Sequence, residues 1–220
     1  MTDNAVSSRR TYGRIAVAAL CMALLSACGV HKPFELMNEN YQLRPGSIAV
    51  VTGSDDEASA RLVSSLTQVL KEKGTLRVMS QEEVARHVSK YPSSVKRAKE
   101  LKDLDHPVWY ASSEKGKIES MQAQLKTDYL FVVWGGNLYR TVTQNSRGGT
   151  SVSYSVGIVA NLIEPRNKVV GYSNFGHGKS QSCCLFGKSE GDDINEMLKE
   201  AAEEMGDKFL RTANAQKAGS

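Results

Sequence analysis

The chain has few cysteines, only a small surplus of positive charge and few long apolar runs. It contains four cysteines, and 28 Lys+Arg stand against 24 Asp+Glu. This small number of cysteines excludes a disulfide-rich scaffold. The fold must therefore be stabilised by a hydrophobic core. The near balance of charge excludes the clustered excess of base that nucleic-acid binding requires. No segment reaches the roughly 20 apolar residues of a membrane-spanning helix.

The clearest signal stands at the N-terminus. Arg9, Arg10 and Arg14 precede an apolar run from Ile15 to Leu25. A basic segment, a short apolar run and a small-residue cleavage site together describe an export signal. The arginine pair also fits twin-arginine export, so that route stays open beside the general secretory one.

The apolar run closes on Leu25-Ser26-Ala27-Cys28, which resembles the lipobox of bacterial lipoproteins. The resemblance implies that residues 1–27 are removed and that Cys28 carries lipid chains such as palmitate. It also implies a periplasm-facing protein of the outer membrane, because Gly29 replaces the aspartate that often retains lipoproteins in the inner membrane. The alternative is an ordinary secretory signal in which Cys28 is incidental.

The mature chain has the size of one domain. Removing residues 1–27, which hold three Arg and one Asp, leaves 193 residues with 25 Lys+Arg against 23 Asp+Glu. That length can bury a hydrophobic core. We predict a lipidated cysteine and flexible tether over 28–46, a single periplasmic domain over 47–211 and a frayed tail over 212–220.

Strands and helices alternate in the first half of this domain. Two apolar runs, 48–51 and 76–79, are followed by Ser54-x-x-Glu57 and Ser80-x-x-Glu83, the pattern of a helix capping box. Helical spacing recurs over 113–126, and a helix over 94–104 is possible. The strongest strand signal is Tyr129–Trp134, which we place at the centre of the sheet.

Period-two patterns dominate the second half. Strands are predicted over 138–144, 151–163 and 169–175, followed by a Gly/Ser-rich loop over 176–190. Asp192 or Asp193 would cap a final amphipathic helix. The sequence therefore predicts an α/β (α+β) fold: a single mixed sheet of about five or six strands with helices packed on it and a C-terminal amphipathic helix.

No set of residues in the chain indicates catalysis, so we predict no enzyme, no cofactor and no metal site. Gly178-Lys179-Ser180 lacks the earlier glycine of a phosphate-binding loop. His177 with Cys183 and Cys184 could bind a soft metal, although adjacent cysteines do not match zinc spacing. An apolar loop tip, a protomer contact and an intermolecular disulfide are the alternatives for the cysteine pair.

Residues 137–163 could instead enter a membrane as a β-hairpin of an oligomeric pore, since their alternation is also that of a spanning strand. Arg140 shares a face with Leu138 and Val142, which is costly at the bilayer midplane. We therefore favour a sheet face buried under the helices.

The order of the predicted elements resembles that of a group of bacterial envelope lipoproteins. The order is lipobox, tether, strand, capped helix, strand, capped helix, central strand, meander and final helix. The group includes the curli-secretion lipoprotein, the TolB amino-terminal domain and the penicillin-binding-protein activator. The resemblance implies a non-enzymatic binding, assembly or accessory factor anchored through Cys28, with an envelope protein partner or self-association. The alternatives are an oligomeric secretion or pore component and a metal-handling or redox protein that uses Cys183 and Cys184.

Overall fold

We describe the protein from a computed structural model, which covers residues 31–92, 94–98, 108–144, 149–182 and 190–215. The predictions made for the export signal, for Cys28 and for Cys183 and Cys184 fall outside these residues. Every strand and helix described below belongs to one compact unit that begins at Lys32.

Six strands and four α-helices make up the described part of the chain. The strands are β1 (Lys32–Leu36), β2 (Ser47–Thr52), β3 (Arg77–Val78), β4 (Tyr129–Gln144), β5 (Thr150–Glu164) and β6 (Lys168–Ser182). The helices are α1 (Glu57–Lys73), α2 (Gln81–His87), α3 (Lys115–Leu125) and α4 (Glu190–Ala215), and a 3-10 turn at Ser112–Glu114 precedes α3. None of these helices is long and apolar enough to cross a membrane.

The strands form one mixed sheet in the order β1-β6-β5-β4-β2-β3. β2 pairs in parallel with β3 and β4, and the other pairs are antiparallel. Parallel pairing is possible because helices supply the crossover connections. The structure therefore confirms the predicted fold class, including the single mixed sheet and the C-terminal helix.

Helices cover both faces of the sheet, and each face has its own hydrophobic core. Helices α1 and α4 pack on the face that carries Phe131 and Val133 of β4. Helices α2 and α3 pack on the face that carries Leu130, Val132 and Trp134. The run Tyr129–Trp134 is therefore apolar at every position because it is buried on both sides, as in a central strand.

The predicted flexible tether over 28–46 is wrong for residues Lys32–Leu36. Lys32–Leu36 forms the edge strand β1 and pairs with β6, and Phe34 is fully buried. Only residues 29–31 therefore separate Cys28 from the sheet. The prediction failed because a five-residue strand at a sheet edge has too few apolar residues to show a period.

Two further differences concern strand length. The predicted strands over 129–134 and 138–144 are one strand, β4, which passes Gly135 with a register shift between Gly135 and Leu138. The predicted loop over 176–190 is wrong up to Ser182, because β6 continues to that residue. The described part of the possible helix over 94–104 is irregular, and Arg97 forms an isolated bridge with Tyr110.

The helix caps provide a first test. The box predicted at Ser80 and Glu83 is present in full, whereas α1 is capped by Asp56, whose carboxylate accepts from the Ser59 amide at 2.8 Å. We expect Asp56→Ala to lower the free energy of unfolding by about 1 kcal/mol. Ser54→Ala, at the position predicted from sequence, should leave it unchanged. Equal losses in urea unfolding would contradict this assignment.

A carboxylate joins the starts of β2 and β4. Asp128 Oδ2 accepts from the amide of Ser47 at 2.7 Å and from its hydroxyl at 2.8 Å. These bonds, the amide first, hold the pKa of Asp128 below its usual value. The resulting stability is present above the unfolded-state pKa of about 4 and is lost as pH falls through the lower folded-state pKa.

Asp128→Asn should therefore lower the free energy of unfolding by about 1 kcal/mol at pH 7. The difference from the natural protein should shrink once the pH falls below about 4. Chemical denaturation at several pH values measures both effects. Asp55→Asn, which changes an exposed carboxylate elsewhere, is the matched control. A constant difference down to pH 2 would contradict the role given to the charge.

Candidate functional site

The antiparallel strands continue beyond the part of the sheet that β2 supports. β2 pairs with β4 only from Tyr129 to Val133, whereas β4 pairs with β5 as far as Gln144. We call residues 138–144, 150–156 and 177–182 the arm. Its three strands stay in register, with Leu138 opposite Val156 and Val156 opposite His177.

One face of the arm lies toward α4, but the helix does not cover all of it. Tyr154 and Val156 of β5 are buried there. On β4, Leu138 is 37% exposed and Val142 is 49% exposed. The predicted burial of this face under helices is therefore correct for β5 and wrong for β4. On the outer strand the helix reaches Arg140, whose Nε lies 3.4 Å from Glu190 Oε1, but it leaves Leu138 and Val142 exposed.

Charged side chains join α4 to β6. Lys179 Nζ lies 2.8 Å from Glu196 Oε2 and 3.0 Å from Glu200 Oε1, and these carboxylates, Glu196 first, raise the lysine pKa. His177 Nδ1 lies 3.1 Å from Glu204 Oε2. These contacts join the arm to the helix through Lys179 and His177, the two side chains that in the sequence suggested a phosphate-binding loop and a metal site.

The structure places the described candidate residues from the sequence on β6 and α4. Gly178-Lys179-Ser180 lies within β6 and is not a loop that opens a helix, so its geometry is not that of a phosphate-binding loop. His177 faces carboxylates of α4. Within the described residues no group of three His, Cys, Asp or Glu has the arrangement of a metal site. Asp192 and Asp193 lie inside the first turn of α4, which begins at Glu190, so the predicted cap is wrong.

The opposite face of the arm is rich in glycine and small hydroxyl residues. Ser153 pairs with Ser180, and Ser155 pairs with Gly178. The Ser153 and Ser180 hydroxyls lie 2.9 Å apart. On the outer strand of this face, Tyr139 is 60% exposed. We call this strip of small residues on β5 and β6 the trough.

The trough ends in a cleft where the arm meets the rest of the sheet. Its volume is about 610 Å³, and its lining includes Gly157 and Gly176, which lie directly opposite each other, and Tyr139. A Cβ added at Gly157 would meet nothing within 4 Å, and one at Gly176 would meet only Val156 O at 3.9 Å. The pair of glycines therefore leaves the floor of the cleft open.

Hydrogen bonds build the inner wall of the cleft. The indole of Trp134 donates to Val95 O at 2.7 Å, and the Val95 amide donates to Gly53 O at 3.0 Å. The next residues, Lys96 and Arg97, also line the cleft, and both are exposed. Backbone bonds thus hold two adjacent cations at the rim.

Comparison with known proteins assigns no family. No family model and no curated protein matches the chain. One similar solved structure is a Xanthomonas campestris protein of family DUF330, with 9% identity over 83% of this chain and 93% of that one and a TM-score of 0.42. A minor lipoprotein from Acinetobacter baumannii has 7% identity over 80% of this chain and 95% of that one, with a TM-score of 0.40. A PelC dodecamer from Paraburkholderia phytofirmans has 11% identity over 80% of this chain and 96% of that one, with a TM-score of 0.35.

Sequence reasoning missed the cleft. Leu138 and Tyr139 are two consecutive large apolar residues, which breaks the alternation of apolar and polar residues expected in a half-buried strand. This break was the one signal in the sequence that Tyr139 lies on an exposed face. Lys96 and Arg97 belong to a charged stretch without periodicity, so nothing in the sequence placed them beside β4. Their position depends on backbone bonds between residues far apart in the chain, such as the Val95 amide to Gly53 O.

Proposed function

We propose that this protein is a lipid-anchored accessory factor of the bacterial envelope that binds another protein through its arm. Residues 25–28 support the anchor, because a leucine-small-small-cysteine sequence after an export signal is typical of lipoproteins. The proposed position is the periplasmic side of the outer membrane. The proposed role is binding and not catalysis.

One observation carries the binding role. In the described residues the exposed large apolar side chains are Met37, Leu138, Tyr139 and Val142, and three of these stand within five residues of β4. Leu138 and Val142 lie on the face toward α4, and Tyr139 lies on the opposite face, so both faces of this strand expose apolar surface. Exposed apolar side chains at neighbouring positions are typical of interaction sites. The group lies on the part of β4 that extends past β2, where an added strand can also pair with a sheet edge.

Photo-crosslinking in intact cells tests the binding role. A photoreactive phenylalanine analogue at position 138 or 142 should join the chain to a defined second protein or to a second copy. The same analogue at position 37 is the matched control, since Met37 is 38% exposed and its amide donates to Val170 O, which lies outside the arm. Identical adducts from all three positions, or none from the arm, would contradict the proposal.

The anchor has its own test. Cys28→Ala removes the proposed site of acylation, so the protein should move from the membrane fraction to the soluble fraction. A single lipid chain binds only reversibly, whereas several chains give stable attachment, so loss of them all should have a large effect. Unchanged membrane fractionation of the Cys28→Ala protein would refute the anchor and leave the crosslinking result to be judged separately.

A further inference from the structure

We propose that the cleft between Trp134 and the glycine pair binds an acidic, extended peptide segment that carries an apolar side chain. The inference rests on the proposed protein-binding role and names the chemistry of the partner. Two features of the cleft support it, namely its open floor and the two cations at its rim.

The floor fits a side chain inserted from outside. Gly157 and Gly176 present bare backbone, and the space above Gly157 is empty to at least 4 Å from a would-be Cβ. The buried indole of Trp134 closes one end, and the exposed ring of Tyr139 flanks the opening. An apolar or aromatic side chain of a partner can therefore lie on the glycines with aromatic surface beside it.

The charge of the rim selects an acidic segment. The lining contains two cations, Lys96 and Arg97, and one carboxylate, Asp55, so its net charge is positive. Neither cation has an ion pair with a carboxylate of the described residues. Charge complementarity of this kind steers partners to a site and suppresses those of the wrong sign.

The rim is positioned before any partner arrives. Lys96 O accepts from the Ala111 amide at 2.8 Å, and the Ala98 amide donates to Trp109 O at 2.8 Å. Backbone bonds thus hold Lys96 and Arg97 in place. Binding to a preformed site avoids part of the cost of ordering, which increases affinity.

The length of the trough indicates how many residues of the bound peptide can contact it. From Gly157 to Ser151 the strand rises about 3.3 Å per residue, which gives roughly 20 Å of Ser and Gly surface. A partner of five or six residues can follow it without meeting a large side chain on β5 or β6. The occupant is therefore an extended acidic peptide and not a helix.

Isothermal titration calorimetry tests the inference on the full lipidated chain in detergent. The probe is the capped peptide Glu-Asp-Phe-Asp-Glu, and its counterpart is Lys-Lys-Phe-Lys-Lys. The acidic peptide should bind saturably and the basic one should not, and added salt should weaken binding. Equal binding of both peptides, or no binding of the acidic one, would overturn the proposal.

Two pairs of variants locate the site. Lys96→Glu/Arg97→Glu should weaken the acidic peptide by at least about tenfold, whereas Lys71→Glu/Lys115→Glu, the same charge change elsewhere on the surface, should not. Gly157→Leu should fill the cleft and abolish binding. Gly116→Leu, at another glycine with open space around it, is its control.

Circular dichroism confirms that each variant is folded. If the Lys96→Glu/Arg97→Glu and Gly157→Leu proteins fold and still bind as the natural protein does, the cleft is not the site. Crosslinking at positions 138 and 142 then still decides whether the arm binds a protein. Failure of the peptide site and failure of the proposed function are thus separate results.

Discussion

Phe34→Ala is expected to lower the free energy of unfolding by about 3–5 kcal/mol, the usual cost of emptying a large aromatic site in a core. Phe34 is fully buried, and its ring packs edge-on against Phe209 at 5.0 Å and against Phe131 at 5.8 Å. The three rings join β1 to α4 and β4. Loss of Phe34 removes two of these ring contacts at once.

The result would decide whether β1 belongs to the domain. The ring of Phe34 also fills the space at Gly171 of β6, where an added Cβ would lie 2.5 Å from Phe34 Cζ. Urea unfolding gives the free energy, and Met37→Ala, at an exposed site just after β1, should change it by less than about 0.5 kcal/mol. Equal small losses in both variants would mean that residues 32–36 are the flexible spacer predicted from sequence.

Gly53→Ala should lower the free energy of unfolding by about 3 kcal/mol, at the upper end of the range for overpacking. A Cβ at this position would lie 2.1 Å from Nε1 of Trp134, far inside contact distance. The indole cannot simply move, because it is buried and donates to Val95 O. The methyl group must therefore displace the ring or the backbone.

Gly157→Ala is the matched control, since its Cβ would meet nothing. That variant should be as stable as the natural protein, or slightly more stable because alanine restricts the unfolded chain. Thermal unfolding of the two variants compares them directly. If Gly53→Ala is as stable as Gly157→Ala, Trp134 does not occupy the position that closes the cleft.

Both experiments concern parts of the molecule where the sequence was a poor guide. Apolar runs and periodicities correctly predicted the central strand Tyr129–Trp134, the parallel strands before it, the capping box at Ser80 and the apolar stripe of the final helix. These patterns are local, because a strand or helix buried along its length repeats its apolar residues at a fixed spacing.

The sequence alone determined the fold class, the order of the elements that follow β1 and the case for an anchor at Cys28. Only the tertiary structure decided that Lys32–Leu36 is a strand, that β4 runs unbroken past Gly135, and that Lys96 and Arg97 stand at a cleft. The reason is physical. A strand at a sheet edge and a loop beside a cleft are held by backbone hydrogen bonds to distant residues, and such bonds leave no period in the sequence.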